Sequence, residues 1–158
     1  MANSARLVGA IPSEVVVMNA LTVNINLLLI SFYQPTKNRH KIIIEKGAFP
    51  SDQYAVESHL HLHGFDPKDS LIELTPRTGE TTLRTDDIVN TINDVGEELA
   101  TIIMGGVNYY TGQAFDMKSI TKAGKSVGAF VGFDLAHAAG NIDLNLHDWN
   151  VDFAAWCT

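Results

Sequence analysis

Asp134 and His137 stand just after an apolar run at residues 129–133, in Asp134-Leu135-Ala136-His137. A carboxylate at the mouth of a strand buried on both faces needs a partner. A cationic ring nitrogen would serve, because the ion pair keeps the ring protonated and able to draw electrons from a substrate carbanion. His137, three residues on, could reach a second polar atom of the same ligand. A salt bridge from Asp134 to a Lys or Arg, with His137 as a structural histidine, is the plainer alternative.

Two further groups sit at comparable places. After the run at residues 41–45 comes Lys46-Gly47-Ala48-Phe49-Pro50-Ser51-Asp52. Phe49 could lie flat on a planar ring, Pro50 stiffens the turn, and Ser51 and Asp52 add a hydroxyl and a carboxylate. The same residues also suit a first helical turn with Phe49 as a hydrophobic staple. After the run at residues 15–18 comes Asn19-Ala20-Leu21-Thr22, ahead of a helical stretch at 23–32. Free N–H groups at a helix start, with the Thr22 hydroxyl beside them, make an anion site. The helix dipole favours a phosphate there by roughly 1 kcal/mol when exposed. Thr22 is also well suited simply to cap the helix.

These loops need a scaffold that brings them together. Strand-length apolar runs recur at residues 15–18, 41–45, 71–74, 100–104, 129–133 and 151–156, and stretches with helical spacing fall at 23–32, 52–63, 86–99 and 116–127. Helices alternating with wholly apolar strands predict an α/β fold with a mostly parallel sheet and flanking helices. Ser51 and Thr85 stand where N-caps belong, and Gly64 and Gly128 where helices stop. Residues 76–82 read as a surface loop. In such sheets ligands bind outside the carboxyl ends of the strands, where the three loops lie.

The chain has 158 residues, 46% hydrophobic and 18% charged, which suits one globular core. Its net charge of -7, with both signs interspersed, argues against a nucleic-acid partner. No apolar run approaches the roughly 20 residues of a membrane span, and residues 1–6 lack an apolar signal core, so no membrane partner and a cytoplasmic location are expected. The single cysteine, Cys157, excludes an internal disulfide and reads as a small buried hydrophobe. The run His59-Leu60-His61-Leu62-His63 would offer three imidazoles on one strand face, but its neighbourhood is helical. Only His59 and His63 then share a face, without a third ligand, and no metal is expected.

Phosphate donors, a stacking aromatic and a ring-nitrogen carboxylate, in that chain order, fit pyridoxal 5'-phosphate better than a dinucleotide. No Gly-x-Gly-x-x-Gly follows the first run, and the P-loop pattern is missing. The phrases VMNALTVN, FPSDQYAVES, LHGFDP, YYTGQ, ITKAG, VGFDLAHAAGN and LHDWNVDFA make the chain similar to the kynureninase family over nearly its whole length.

That resemblance implies a fold-type-I pyridoxal-phosphate enzyme, normally a homodimer. Such an enzyme hydrolyses kynurenine or 3-hydroxykynurenine to anthranilate or 3-hydroxyanthranilate and alanine, in tryptophan catabolism and NAD synthesis. Matched residue by residue, Leu21 and Thr22 fall on phosphate contacts, Phe49 on the ring-stacking position, and Pro50, Ser51 and Asp52 on the adjoining cofactor segment. Asp134 and His137 fall on the ring-nitrogen and companion contacts. Gly105 falls on a further contact where animal members carry a serine.

The family's Schiff-base lysine would follow directly after Trp156-Cys157-Thr158, so no catalytic residue is expected within the chain. Residues 1–158 are expected to form an incomplete large domain, without the family's N-terminal segment, lysine region and small C-terminal domain. The chain alone would then be inactive, with the last strand's apolar face uncovered. The contrasting reading is a non-catalytic fragment acting at most as a dimerisation module.

Overall fold

The computed structural model describes residues 2–157; Met1 and Thr158 lie outside them. Five strands, β1 (Lys41–Glu45), β2 (Leu71–Leu74), β3 (Leu99–Gly105), β4 (Phe130–Asp134) and β5 (Phe153–Ala155), form one sheet. Their order is β2-β1-β3-β4-β5 and every neighbouring pair is parallel. The helices are α1 (Ala2–Val8), α2 (Leu21–Phe32), α3 (Pro50–Leu62), α4 (Pro67–Ser70), α5 (Thr85–Val95), α6 (Met117–Ser126) and α7 (Leu146–Trp149).

Apolar residues alternate between two cores. Ile43, Ile102, Met104, Val131 and Phe133 pack with Ile88 and Ile92 of α5 and Ile120 of α6 on one face. Ile42, Ile44, Ile103 and Phe153 pack with Ile25 and Leu29 of α2 and Val56 and Leu60 of α3 on the other. A strand buried on both faces must be apolar at every position, which is why Ile42, Ile43 and Ile44 run without a polar break. Each such side chain contributes roughly 1.5–3 kcal/mol of burial.

The chain passes from β1 outward to β2, then back past β1 to β3 and on through β4 to β5. The winding direction therefore reverses between β1 and β3, and the crevice at the carboxyl ends of those strands is where such sheets bind ligands.

Helix α2 has a direction that matters to this crevice. At its C-terminal end the Phe32 ring stacks on Phe153 at 4.8 Å and meets Phe130 edge-on at 5.5 Å. Phe130 and Phe153 begin β4 and β5, so α2 runs against the strands and its first turn reaches their carboxyl edge. Gly132 makes the Phe153 contact possible, since a Cβ there would lie 2.0 Å from that ring.

Several expectations need correction. Residues 15–18 form no strand; they are an extended segment with Val16, Val17 and Met18 exposed. Their pattern is strand-like, but among the described residues no neighbouring strand pairs with them. Phe49 and Arg84, not Ser51 and Thr85, occupy the N-cap positions, because Pro50 takes the first helical place of α3 and Thr85 that of α5. The helix expected over 86–99 ends at Val95, where Gly96 at φ 54° breaks it, and Leu99 already belongs to β3. Cys157 is exposed rather than buried. Phe153 and Ala155 are buried, with α2 covering that face.

Gly64 and Gly128 do stop α3 and α6. Gly64 N–H donates to the His61 carbonyl while Phe65 N–H donates to that of Leu60, and Gly128 and Ala129 repeat the pattern on Lys125 and Gly124. Each glycine sits at φ 81°, the left-handed position this stop requires.

Candidate functional site

Three carboxyl groups meet at the carboxyl edge of the sheet: Glu45 at the end of β1, Asp52 in the first turn of α3 and Asp134 at the end of β4. They are 3%, 5% and 7% exposed, and among the described residues no Lys, Arg or His forms a salt bridge with any of them. Buried carboxyls without a cation must hold protons or await a positive ligand.

Burial, followed by the charge of Asp134 and a hydrogen bond with it, pushes Asp52 up to about 8. Glu45 is raised to about 7, chiefly by burial, with Asp134 adding repulsion and the Gly105 N–H pulling the other way. Near neutral pH Asp52 is therefore mostly protonated and can donate to Asp134. Asp134 is further oriented by the Ala136 N–H, 2.8 Å from its Oδ1, and Ser51 Oγ donates to Asp52 Oδ1 at 3.3 Å.

Gly105 lies directly across from Asp134 in the β3–β4 ladder. A Cβ at position 105 would come within 3.0 Å of Glu45 Oε1 and 3.3 Å of the Val107 carbonyl oxygen. The side of Gly105 that carries no side chain is thus closed by the Glu45 carboxyl.

The first turn of α2 supplies a different chemistry. Its N-cap is Ala20, with no side-chain cap. Thr22 is the second helical residue and does not cap the helix, which removes the plainer reading of that loop. The clamp comes from Asn24: its Nδ2 donates to the Asn19 carbonyl at 2.9 Å and its Oδ1 accepts from Asn19 N–H at 3.1 Å. The N–H groups of Leu21, Thr22 and Val23 are left free at the sheet's carboxyl edge, as an anion site requires. Helix α3 steadies the turn, since His59 Nε2 lies 3.2 Å from Asn26 Oδ1 and Asn26 Nδ2 donates to the Thr22 carbonyl at 2.8 Å. Burial lowers the His59 pKa, so the neutral ring donates through Nε2.

Phe49 precedes α3, 49% exposed, and its ring meets Tyr109 edge-on at 5.2 Å. A cleft lined by Glu45, Lys46, Leu83, Tyr109 and Gln113 opens beside it. Pro50 starts α3 and fixes the angle at which Phe49 and Asp52 leave the turn.

The structure thus joins Asp52, Gly105 and Asp134 directly and places Phe49, Pro50 and Ser51 on the same turn as Asp52. Leu21 and Thr22 approach from α2 at the same edge, with no hydrogen bond reaching the carboxyls among the described residues. His137 stands apart: it is exposed, and among the described residues its carbonyl alone is engaged, by Asn141 Nδ2 at 3.0 Å. Sequence reasoning missed Glu45. The available signal was a charged residue closing an otherwise apolar strand, Lys41-Ile42-Ile43-Ile44-Glu45.

A parallel sheet with a switch-point crevice, a helix start with free N–H groups and buried carboxyls without a cation among the described residues make up a cofactor-binding type of α/β fold. The chain belongs to the aminotransferase class-V family, whose model matches residues 2–158. Its relatives are kynureninases: the kynureninase of Christiangramia forsetii is 61% identical over 98% of the chain and 36% of its own length, and that of Dictyostelium discoideum 58% identical over 99% and 35%. The chain therefore spans about a third of the curated relatives it matches and is kynureninase-like.

Solved structures agree on the fold. An apo cysteine desulfurase from Thermococcus onnurineus superposes with a TM-score of 0.79 at 21% identity, over 96% of this chain and 36% of its own. A NifS-like protein gives 0.74 at 19% identity, over 96% and 40%. The architecture is that of fold-type-I pyridoxal-phosphate enzymes. Pyridoxal 5'-phosphate is the cofactor of the family, and a buried carboxyl set with no cation among the described residues, at the same sheet edge as the free N–H groups of α2, fits such a group. No helix among the described residues is long and apolar enough to cross a membrane.

Proposed function

We propose that this chain is the cofactor-cradling part of a kynureninase, the large-domain segment of a cytoplasmic homodimer. That enzyme hydrolyses kynurenine or 3-hydroxykynurenine to anthranilate or 3-hydroxyanthranilate and alanine, in tryptophan catabolism and NAD synthesis. The observation that carries the reading is Asp134, buried at the sheet mouth beside a second carboxyl, with no cation among the described residues to neutralise either. Identity of 55–62% to kynureninases supports the particular reaction.

Each residue has a defined task. Leu21 and Thr22 present backbone N–H groups, and Thr22 its hydroxyl, to the phosphate. Phe49 covers one ring face, held by Pro50. Asp134 holds a positive charge at the ring nitrogen, oriented by Asp52, which Ser51 contacts in turn. Gly105, across the ladder from Asp134, borders the ring edge, and His137, exposed as it stands, turns inward to a second polar atom. The bound cofactor supplies an electron sink for carbon–carbon cleavage. Homodimerisation is supported by the exposed Val16, Val17 and Met18 just ahead of α2, an apolar stretch that a second copy would cover.

The test is titration with pyridoxamine 5'-phosphate, which lacks the aldehyde and so cannot react with surface lysines. Saturable binding of one molecule per chain is expected, weakened by Asp134→Asn. Absent binding, or binding indifferent to Asp134, would overturn the reading. The 158 residues alone are expected to release no anthranilate from kynurenine; release proportional to chain concentration would refute that.

A further inference from the structure

We propose that Glu45 is a positioning residue of this cofactor site, its buried carboxyl gripping the Gly105 N–H and so fixing the carboxyl ends of β1 and β3 beside Asp134. The proposal rests on the cofactor reading above. Backbone pairing between β1 and β3 runs from Lys41 with Leu99 to Ile43 with Ile102, with a register shift after Lys41. Beyond that point β3 continues alongside β4 to Gly105, while β1 continues alongside β2 to Glu45. The two strands thus lose their shared ladder just where the crevice opens, and a side chain replaces it. Glu45 Oε1 and Oε2 lie 3.1 and 3.3 Å from Gly105 N, a forked grip on one donor.

The glycine lets the carboxyl lie close against the backbone at position 105. A Cβ there would press within 3.0 Å of Glu45 Oε1. In this chain the carboxyl reaches the backbone of Gly105, which lies across from Asp134.

Glu45 also acts electrically. The titratable groups facing it are Asp134 from β4 and, across Asp134, Asp52 from α3; Lys46, Tyr109 and Tyr110 line the cleft on its other side. Its own pKa is raised to about 7. Above that value Glu45 adds a second negative charge near Asp134, which repels Asp134 but attracts a cationic ring.

Two measurements test this. First, the Gly105 amide is followed by NMR across pH in the unmodified chain. It is expected to shift with a midpoint near neutrality, and a flat Gly105 signal would overturn the proposal without any variant having to fold. Second, the dissociation constant for pyridoxamine 5'-phosphate is compared between Glu45→Gln and wild type at pH 6 and pH 8.5. Glutamine keeps one acceptor for Gly105, so the constants should agree within about twofold at pH 6 and differ by roughly tenfold at pH 8.5, as one nearby charge provides. An equal loss at both pH values would show that Glu45 acts through the Gly105 contact alone and not through its charge, whereas no loss at either pH would overturn the proposal. Wild-type protein that binds no ligand while its Gly105 amide still titrates would defeat the cofactor reading, and the site role with it, and leave only the contact.

Discussion

The carboxyls of Asp52 and Asp134 face each other within hydrogen-bonding range, one offered by the first turn of α3 and the other by the end of β4. Two buried acids so placed cannot both ionise cheaply, and the second proton stays until the surroundings supply a positive charge. A ligand cation would let the pair ionise.

Stability of the ligand-free chain should therefore fall as pH rises. Asp52 is raised from 3.8 to about 8 and Glu45 from 4.5 to about 7, so between those limits the folded chain holds more protons than the unfolded one. The contribution is fully present below about pH 4 and lost as pH climbs through 7 and 8. Thermal melts from pH 5 to pH 9 should show a decline of roughly 5 °C or more, given about 2–4 °C per kcal/mol at this size. A melting temperature that rose over this window would contradict the carboxyl cluster.

Asp134→Asn should separate stability from binding. Asparagine keeps an oxygen for the Ala136 N–H and removes the charge that repels Asp52 and Glu45. The variant should be more stable than wild type at pH 8, with a flatter pH dependence. Its affinity for pyridoxamine 5'-phosphate should drop roughly 10- to 100-fold, the equivalent of one charged hydrogen bond at about 1.5–3 kcal/mol. Parallel melts and ligand titrations check both arms.

Much of this was legible in the residues, and the failures share a cause. Local pattern identifies β1 through β4 because a strand buried on both faces admits only apolar side chains over a short span. The same pattern marks residues 15–18, yet these never meet a partner strand, and pairing is a property of the whole chain. The loop ahead of α2 nonetheless reaches the carboxyl edge of the sheet, put there by the direction of α2 and not by a preceding strand. Asp134 stood out because it follows an apolar run. Glu45 was hidden because a charged residue closing Lys41-Ile42-Ile43-Ile44-Glu45 reads as an ordinary strand end, and only the register of β1 on β3 reveals what its carboxyl grips.

Asn24→Ala should act on the phosphate end alone. The side chain makes two hydrogen bonds to the Asn19 backbone, and their loss should cost about 1–2 kcal/mol. With the loop unclamped, the N–H groups of Leu21, Thr22 and Val23 lose their fixed aim. Affinity for pyridoxamine 5'-phosphate should fall several-fold, while the weaker binding of pyridoxamine, which has no phosphate, should be unchanged. Equal losses for both ligands would place the phosphate elsewhere.

Gly132→Ala tests the placement of α2 from a distance. An added Cβ would lie 2.0–2.4 Å from three carbons of the Phe153 ring, far inside contact distance. Phe153 in turn stacks on Phe32, whose ring anchors the end of α2 opposite the phosphate loop. The ring must move, and overpacking of this kind costs about 1–3 kcal/mol. Displacing Phe32 along the helix axis also shifts Leu21 and Thr22, because a single rigid helix joins the two ends. The variant should therefore melt roughly 2–10 °C lower and bind pyridoxamine 5'-phosphate more weakly, although Gly132 belongs to the strand and not to the loop. Phe153→Leu in the same chain, by shortening the ring side chain, should recover part of both losses. Unchanged phosphate affinity in a destabilised Gly132→Ala chain would show that α2 is set in place independently of the β5 contact.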